Sequence, residues 1–231
     1  MISKDIDIGR IIVTDAAFGH VTAGDKKMTK RFGTLGIKTK DITAMTQVHG
    51  SHIEYAGGSG IQLMDGTDGL WTNKPKILIY TKTADCVPIL LWSKKEEIIV
   101  ALHCGWRGFL AGIIQSFSSL CQEQVWDHQT FQAFLGPHLR ERHFEVQQDF
   151  IDLLPKEKTH LLKKRGKKQH FAMTQGVMET LSCIGIDQVE DCEIDTFDNP
   201  EYFSYRSWSQ LPDEKRGERY STFASAILMS L

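Results

Sequence analysis

The stretch TADCVPILLWSKKEEIIVALHCGWRG, residues 83–108, decides the fold. Two short apolar runs, Ile89–Trp92 and Ile98–Leu102, lie on either side of a polar turn at residues 93–96. Strand-like runs joined by a short polar loop predict a β-hairpin. The segments at its two ends contain cysteine and histidine, so the hairpin would bring reactive side chains together at its open end.

The register of this hairpin predicts which of those side chains meet. If the turn is centred between Lys94 and Lys95, residues whose numbers sum to 189 face each other. Cys86 and His103 then lie opposite one another, within cross-strand reach. A slip of one residue would break this pairing, and Pro88 restricts the first strand to a sheet edge or to a frayed start.

The composition is that of an ordinary globular protein. The 231 residues are 41% hydrophobic and carry a net charge of −2, which predicts no general attraction to nucleic acid or membrane. No apolar window is long enough to span a bilayer, and the N-terminus lacks the apolar core of a signal peptide. Five cysteines at irregular spacing do not form a disulfide framework, which indicates a reducing, cytoplasmic location.

Hairpins and helices are mixed along the chain without a regular βαβ alternation, which predicts an α+β fold with a mixed sheet. The expected strands are Ile42–Val48, Ile77–Tyr80, Ile89–Trp92, Ile98–Leu102, Gln132–Leu135 and Val189–Asp195. The expected helices are Lys26–Leu35, Gly108–Gln124, Met173–Ile184 and Tyr220–Leu231. The segment Leu153–His170, with its basic run at residues 163–168, is expected to be a solvated loop.

Three strand-end side chains form a candidate metal site. A catalytic zinc takes three protein ligands and leaves one position open. Cys86 and His103 supply two of them, and His49, beside Gly50 just past a strand end, is the candidate for the third. His52 competes with it at short spacing. A single histidine is more often an ordinary polar residue, and these spacings match no zinc-finger pattern.

The remaining cysteines are expected to be structural. Cys104 is adjacent to His103, but neighbouring residues of a strand point to opposite faces, so only one of them reaches Cys86. Cys121 lies in the apolar stripe of its helix, and Cys183 and Cys192 are expected in the core as well.

Two arginines and one aspartate are candidates for substrate binding. Arg107 lies where a helix begins and is either a phosphate ligand or a buried arginine that binds loop carbonyls. Arg206 ends the aromatic segment Tyr202–Arg206, which either stacks on a flat ring or forms a core strand. Asp85 is a proton acceptor, a residue that orients a ligand, or a cap of its turn.

The same residues resemble a known family, the YfiH-like proteins, also called the laccase-domain or multicopper polyphenol oxidoreductase family. Six motifs occur in the family's order. They are Gln47-Val48-His49-Gly50, Thr83-Ala84-Asp85-Cys86, His103-Cys104-Gly105-Trp106-Arg107-Gly108, Gly136-Pro137, Phe144-Glu145-Val146 and Phe203-Ser204-Tyr205-Arg206. Gly24-Asp25 and residues 217–221 fit more loosely.

The resemblance implies one domain over residues 1–231, an α+β sandwich that holds zinc through His49, Cys86 and His103. Family members are described as purine nucleoside phosphorylases that cleave adenosine, inosine or guanosine with phosphate. Some also deaminate adenosine or phosphorolyse methylthioadenosine. Older descriptions call them copper polyphenol oxidases, and one branch is linked to peptidoglycan precursors.

The favoured interpretation is therefore a zinc-dependent purine nucleoside phosphorylase, with phosphate as co-substrate and a nucleoside as its small-molecule partner. In this interpretation Arg107 or Arg206 binds the anion, and Phe203 and Tyr205 bind the base. Asp85 or Gln47 positions the reacting groups.

Three other classes stay open, and one of them is a non-catalytic binding protein. In a cysteine hydrolase or amidase, Cys86 is a nucleophile activated by His103. In a redox protein, the same thiolate and imidazole ligands hold copper, although one cysteine and two histidines are too few for several copper centres. A monomer or a small homo-oligomer is expected in each case.

Overall fold

In the part of the chain that the structure describes, fifteen strands form two six-stranded mixed sheets and one small sheet. The structure, a computed structural model, describes residues 1–216 and 220–230. Residues 217–219 of the last motif and Leu231 of the last expected helix lie outside them. The strands are β1 (Ile2–Ile6), β2 (Gly9–Val13), β3 (Asp41–Met45), β4 (Ile53–Tyr55), β5 (Ile61–Met64), β6 (Gly69–Thr72), β7 (Ile77–Thr83), β8 (Val87–Ser93), β9 (Ile98–Cys104), β10 (Gln132–Leu135), β11 (Glu145–Val146), β12 (Leu162–Arg165), β13 (Lys168–Phe171), β14 (Gln188–Asp191) and β15 (Phe223–Met229).

The two large sheets lie face to face and helices cover their outer sides. The first sheet has the order β1-β2-β15-β7-β3-β5, the second β14-β10-β8-β9-β6-β4, and the small third sheet β11-β13-β12. The helices are α1 (Met28–Gly33), α2 (Trp106–Ala111), α3 (Ile113–Gln124), α4 (Gln148–Leu153), α5 (Met173–Cys183) and α6 (Tyr205–Ser209). This arrangement confirms the expected α+β sandwich with mixed sheets.

Three apolar clusters hold the layers together. The cluster between the two sheets contains Leu90 and Ala101 of the second sheet and Ile79 of the first. A second cluster joins the other face of β8 and β9 to α2, α3 and α5, and a third packs α1 on the outer face of the first sheet. Strands β8 and β9 are therefore buried on both faces, which is why their sequences are apolar without alternation.

The hairpin β8–β9 forms as predicted, but its register differs by two. Paired residues sum to 191 rather than 189, so Pro88 faces His103 and Val87 faces Cys104. The turn occupies residues 94–97, one residue later than predicted, and its last residue, Glu97, adopts a left-handed backbone (φ 54°).

Although the register differs from the prediction, Cys86 and His103 still lie close together, as predicted. Side chains alternate between the two faces of a strand, so a shift of two residues keeps each on its own face. Cys86 precedes β8 and becomes a diagonal neighbour of His103 instead of its direct opposite. Strand β8 is interior, and Pro88 is its second residue, so the frayed-start alternative is the correct one.

Two expected helices differ from the structure. The described part of the expected helix, residues 220–230, is not helical, because β15 runs over Phe223–Met229 between β2 and β7. Its alanine, leucine and methionine favour a helix intrinsically, but a position in the middle of a sheet overrides that preference. The expected helix Gly108–Gln124 is divided into α2 and α3 at Gly112, which has a φ of +86°.

The expected loop at residues 153–170 is structured. Its basic run lies in the hairpin β12–β13, whose charged side chains are largely exposed. Two of these cations pair with acids, Arg165 with Glu141 and Lys168 with Glu145.

Cysteine burial agrees with expectation at two of the four positions outside the candidate metal site. Cys104 and Cys121 are buried, whereas Cys183 is exposed and Cys192 is only partly buried. Within the described residues, no helix combines the length and the apolar character that crossing a bilayer requires.

Candidate metal centre

Three predicted side chains converge at the open end of the hairpin. One donor atom from each of His49, Cys86 and His103 lies within 4.8 Å of the others. His103 is on β9, Cys86 immediately precedes β8, and His49 is in the loop after β3. The two imidazole rings meet edge to face, with centroids 4.8 Å apart.

A buried carboxylate that the sequence analysis missed organises this group. Asp68 is fully buried just before β6, and it accepts hydrogen bonds from the backbone N–H groups of Val48 (3.2 Å), His49 (2.9 Å) and Gly50 (2.7 Å). His49 has a left-handed backbone (φ 62°), which these bonds hold in place. In the sequence, Asp68 was recognisable only as an acidic residue directly before an apolar strand.

Asp68 also contacts the ring of His103, whose Nδ1 lies 2.7 Å from the Asp68 Oδ1. The other nitrogen, Nε2, is left for the site. Burial lowers the pKa of His103, but the Cys86 thiolate and the Asp68 carboxylate outweigh it and raise the pKa to about 9.

The surroundings of Cys86 lower the pKa of its thiol and so favour the thiolate form. Burial raises its pKa, but the charge on His103 and hydrogen bonds from His103 and His49 lower it to about 6. The thiolate is the form that binds metals. Gly105 is required beside it, because a Cβ there would lie 2.9 Å from His49 Cδ2 and 3.0 Å from the Cys86 sulfur.

The two competing ligands lie outside the group. His52 is exposed and its Nε2 lies 3.0 Å from a Glu54 carboxylate oxygen. Cys104 points to the helix-covered face of the second sheet, as the alternation predicts, and burial raises the pKa of its thiol.

The donor set fits a transition metal. One thiolate and two imidazoles are ligands of zinc sites that keep an open position, and they also suit copper. The second group of possible ligands in the described part of the chain is His143, Asp195 and Asp198, but Arg142 forms ion pairs with both carboxylates.

A cavity of about 540 Å³ opens beside the candidate ligands. Three cations line it: Arg107, Arg206 and Lys82, which the sequence analysis did not single out. Lys82 is half-buried and burial lowers its pKa. Within residues 1–216 and 220–230, neither Lys82 nor Arg107 forms an ion pair with a carboxylate.

The two arginines of the cavity differ in their exposure and in the groups that they contact. Arg107 is exposed and its guanidinium lies 4.2 Å from the centroid of the Trp106 ring, so it is not the buried, carbonyl-binding arginine. Arg206, which is half-buried, is the arginine that binds carbonyl groups: it donates to the carbonyl oxygens of His143 (2.8 Å) and Glu145 (3.1 Å).

The aromatic residues that line the cavity include Trp106, Phe144, Tyr205 and Tyr220. The rings of the two tyrosines meet edge to face, with centroids 5.0 Å apart. Residues 202–206 do not form a core strand, because Ser204 caps α6 and Tyr205 begins it. Phe203 does not line this cavity and instead packs against the core between the sheets. Tyr220 belongs to the loosely fitting motif at residues 217–221 but was not among the predicted site residues.

Asp85 and Gln47 both line the cavity, and both hold backbone in place. The Asp85 carboxylate accepts hydrogen bonds from the Thr196 hydroxyl and the Arg206 N–H, each at 2.6 Å, and burial raises its pKa. Gln47 exchanges two hydrogen bonds with the backbone of Lys82, at 2.7 and 2.8 Å.

The sequence is similar to that of a described family and to characterised bacterial proteins. The profile of the family described as "multi-copper polyphenol oxidoreductase laccase" matches residues 19–229. A purine nucleoside phosphorylase of Rickettsia conorii is 29% identical over 182 residues, which are 74% of this chain and 72% of that protein. Purine nucleoside phosphorylase YfiH of Escherichia coli is 27% identical over 192 residues, 81% of this chain and 75% of that protein.

Solved structures share the fold. A Neisseria meningitidis protein superposes with a TM-score of 0.77 at 20% identity and covers 100% of this chain and 99% of its own. YlmD from Geobacillus stearothermophilus gives a TM-score of 0.76 at 18% identity, covering 96% and 92%.

Proposed function

This chain belongs to the multi-copper polyphenol oxidoreductase laccase family, and on that premise we propose that it is a zinc-dependent purine nucleoside phosphorylase. The proposal takes its reaction from the relatives named purine nucleoside phosphorylase. One observation carries it to this chain: the cavity combines a three-ligand site, two cations that form no ion pair with any carboxylate of the described residues, and a pair of tyrosines. Adenosine, inosine and guanosine are the proposed substrates, with adenosine deamination and methylthioadenosine phosphorolysis as side activities.

In the proposed phosphorolysis, different side chains of the cavity bind the metal and the phosphate. Zinc, held by His49, Cys86 and His103, would supply Lewis acidity toward an oxygen in the open position. Lys82 and Arg107 are the groups best suited to phosphate, since Arg206 already binds two backbone carbonyls.

The tyrosines suit a flat base. Tyr205 and Tyr220 are 48% and 41% exposed, so their rings remain open to a ligand. Stacking on such rings accepts any purine, because every base has a π face. Asp85 supports this part of the cavity through the N–H of Arg206, at the start of α6.

The ligand count argues against a multicopper oxidase. Such an enzyme needs several copper centres, and the described residues contain one group with a thiolate and two imidazoles. The other group is dominated by carboxylates that pair with arginine, which does not suit copper.

A cysteine hydrolase is the second candidate, and the contact of Asp68 with His103 favours it. Cys86, His103 and Asp68 form a chain of nucleophile, base and orienting acid, with 2.7 Å between the last two. An amide in a peptidoglycan precursor would be a substrate of this class. The presence of His49 in the same group favours the metal, because a cysteine nucleophile does not need it.

The test is a product assay by mass spectrometry on protein whose zinc content has been measured. Adenosine, inosine and guanosine are each incubated with and without phosphate. Free base and ribose 1-phosphate should form only with phosphate, and His49→Ala and Cys86→Ala should lose the activity. His52→Ala, which removes a nearby histidine outside the group, should keep it.

The same assay separates the two candidates. A chelator should abolish phosphorolysis and leave a cysteine hydrolase active. If protein with one bound zinc releases no base from any nucleoside, the phosphorylase proposal is wrong. An activity on amides that survives both zinc removal and His49→Ala would establish the hydrolase instead.

A further inference from the structure

The carboxylate of Asp68 contacts two of the three candidate ligand segments, the loop that carries His49 and the strand that carries His103. We propose that Asp68 is the positioning residue for the metal, because it holds both His103 and the loop that carries His49 in their binding arrangement. This inference rests on the metal-binding part of the proposed function and is independent of the reaction that the enzyme catalyses.

Each oxygen of Asp68 accepts two hydrogen bonds. Oδ1 accepts from the His103 ring at 2.7 Å and from the His49 N–H at 2.9 Å. Oδ2 accepts from the Gly50 N–H at 2.7 Å and from the Val48 N–H at 3.2 Å. The bond to Nδ1 fixes the proton there and leaves the lone pair of Nε2 for the metal.

The backbone of Asp68 is anchored between the same two segments. Its N–H donates to the His52 carbonyl at 3.0 Å, and its carbonyl accepts from the His103 N–H at 2.7 Å. Thr67 adds a bond from its hydroxyl to the His52 carbonyl at 2.8 Å. Because the carboxylate has no freedom to move, its position determines where the two histidines lie.

An amide cannot replace this carboxylate. All four partners of Asp68 are N–H groups, and asparagine offers one acceptor oxygen and one NH₂ group. In either orientation of the amide, its NH₂ would face two donors. Asp68→Asn therefore frees either His103 and the His49 N–H, or the N–H groups of Val48 and Gly50, while it preserves the side-chain volume.

The experiment measures metal affinity directly. Purified wild type and Asp68→Asn are stripped of metal and titrated with zinc against a chromogenic chelator, and with cobalt(II) by absorption. The zinc Kd should rise by about 10- to 100-fold, the usual effect of losing a residue that orients a metal ligand. The thiolate-to-cobalt charge-transfer band should also weaken.

Asp191→Asn is the matched control. Asp191 is likewise a largely buried carboxylate that accepts from a side chain, that of Arg140, and from a backbone N–H, that of Glu193, and it belongs to neither group of possible metal ligands. It lies outside the three-ligand group, so its variant should bind zinc like the wild type. Equal zinc affinity of Asp68→Asn and the wild type would overturn the proposal, as would an equal loss in the two variants.

A second measurement does not depend on the folding of any variant. Long-range ¹H–¹⁵N spectra of the zinc-loaded wild type should show His103 with its proton on Nδ1. A proton on Nε2 would contradict the proposal. Wild type that binds zinc without cleaving nucleosides would refute the phosphorylase and leave the role of Asp68 intact.

Discussion

Acid should destabilise this protein through His138, a fully buried histidine behind the cavity. Its Nδ1 bonds to the Gly136 carbonyl and its Nε2 to the Thr174 hydroxyl, both at 2.7 Å. Burial and the nearby Arg140 lower its pKa from 6.5 to about 4. The neutral ring is satisfied on both sides, so protonation is favoured only after unfolding.

The direction in which stability changes with pH follows from proton uptake by the unfolded chain. Between pH 6.5 and pH 4 the unfolded chain binds a proton at His138 that the native state does not, so stability falls as the pH falls. With the pKa values of 6.5 and about 4, the loss is about 2 kcal/mol at pH 5 and about 3 kcal/mol once the pH is below 4. Above pH 6.5 this contribution is fully present.

The assay is urea unfolding, followed by circular dichroism at pH 7.5, 6.5, 5.5 and 5.0 and one fixed zinc concentration. His138→Asn, which keeps a donor for the Gly136 carbonyl, should lower stability at pH 7.5 but lose about 2 kcal/mol less than the wild type between pH 7.5 and 5.0. Thr174→Val removes the Nε2 partner and keeps the imidazole, so it should retain the acid loss. Comparing variants at each pH cancels the other titrating groups. An equal acid loss in wild type and His138→Asn would refute the reasoning.

Three further predictions concern the cavity. Gly105→Ala should weaken zinc binding by at least about 10-fold in a chelator competition, because the new Cβ would lie against His49 and Cys86. Lys82→Met should raise the KM for phosphate by about 10-fold or more in the product assay, from the loss of a charge-assisted hydrogen bond; an unchanged KM would remove Lys82 from the anion site. Tyr220→Ala should raise the KM for nucleoside by about 5-fold or more, since stacking on a ring is worth about 1–3 kcal/mol per base, whereas a change in the phosphate KM alone would contradict this assignment.

The hairpin shows how much of the site local sequence can predict. The two apolar runs fixed the strands, and the alternation of side chains fixed the faces of Cys86 and His103. The register came out two residues wrong because the turn lies one residue later than predicted, at residues 94–97, which the sequence does not reveal. Since two residues are one full strand period, the error left the site prediction unaffected.

The predictions that failed or were missing concern residues whose roles depend on contacts between distant segments of the chain. Strand β15 is apolar on both faces and contains good helix formers, so nothing within Phe223–Met229 distinguishes a strand from a helix. Asp68 acquires its role only when β6 pairs with β9 and the loop after β3 folds over it. Tyr220 reaches the cavity because β15 lies next to β7, a pairing of distant segments.

The charge of the buried site supports a divalent ion. The fully buried Asp68 carboxylate and the partly buried Cys86 thiolate carry two negative charges, and unbalanced charge is costly where water is excluded. A bound zinc ion would bring this sum to zero, whereas copper(I) would leave one negative charge. Lys82 lies outside this group and lines the cavity, where the proposed function assigns it to phosphate. The same charge balance explains why a carboxylate, rather than an amide, suits position 68.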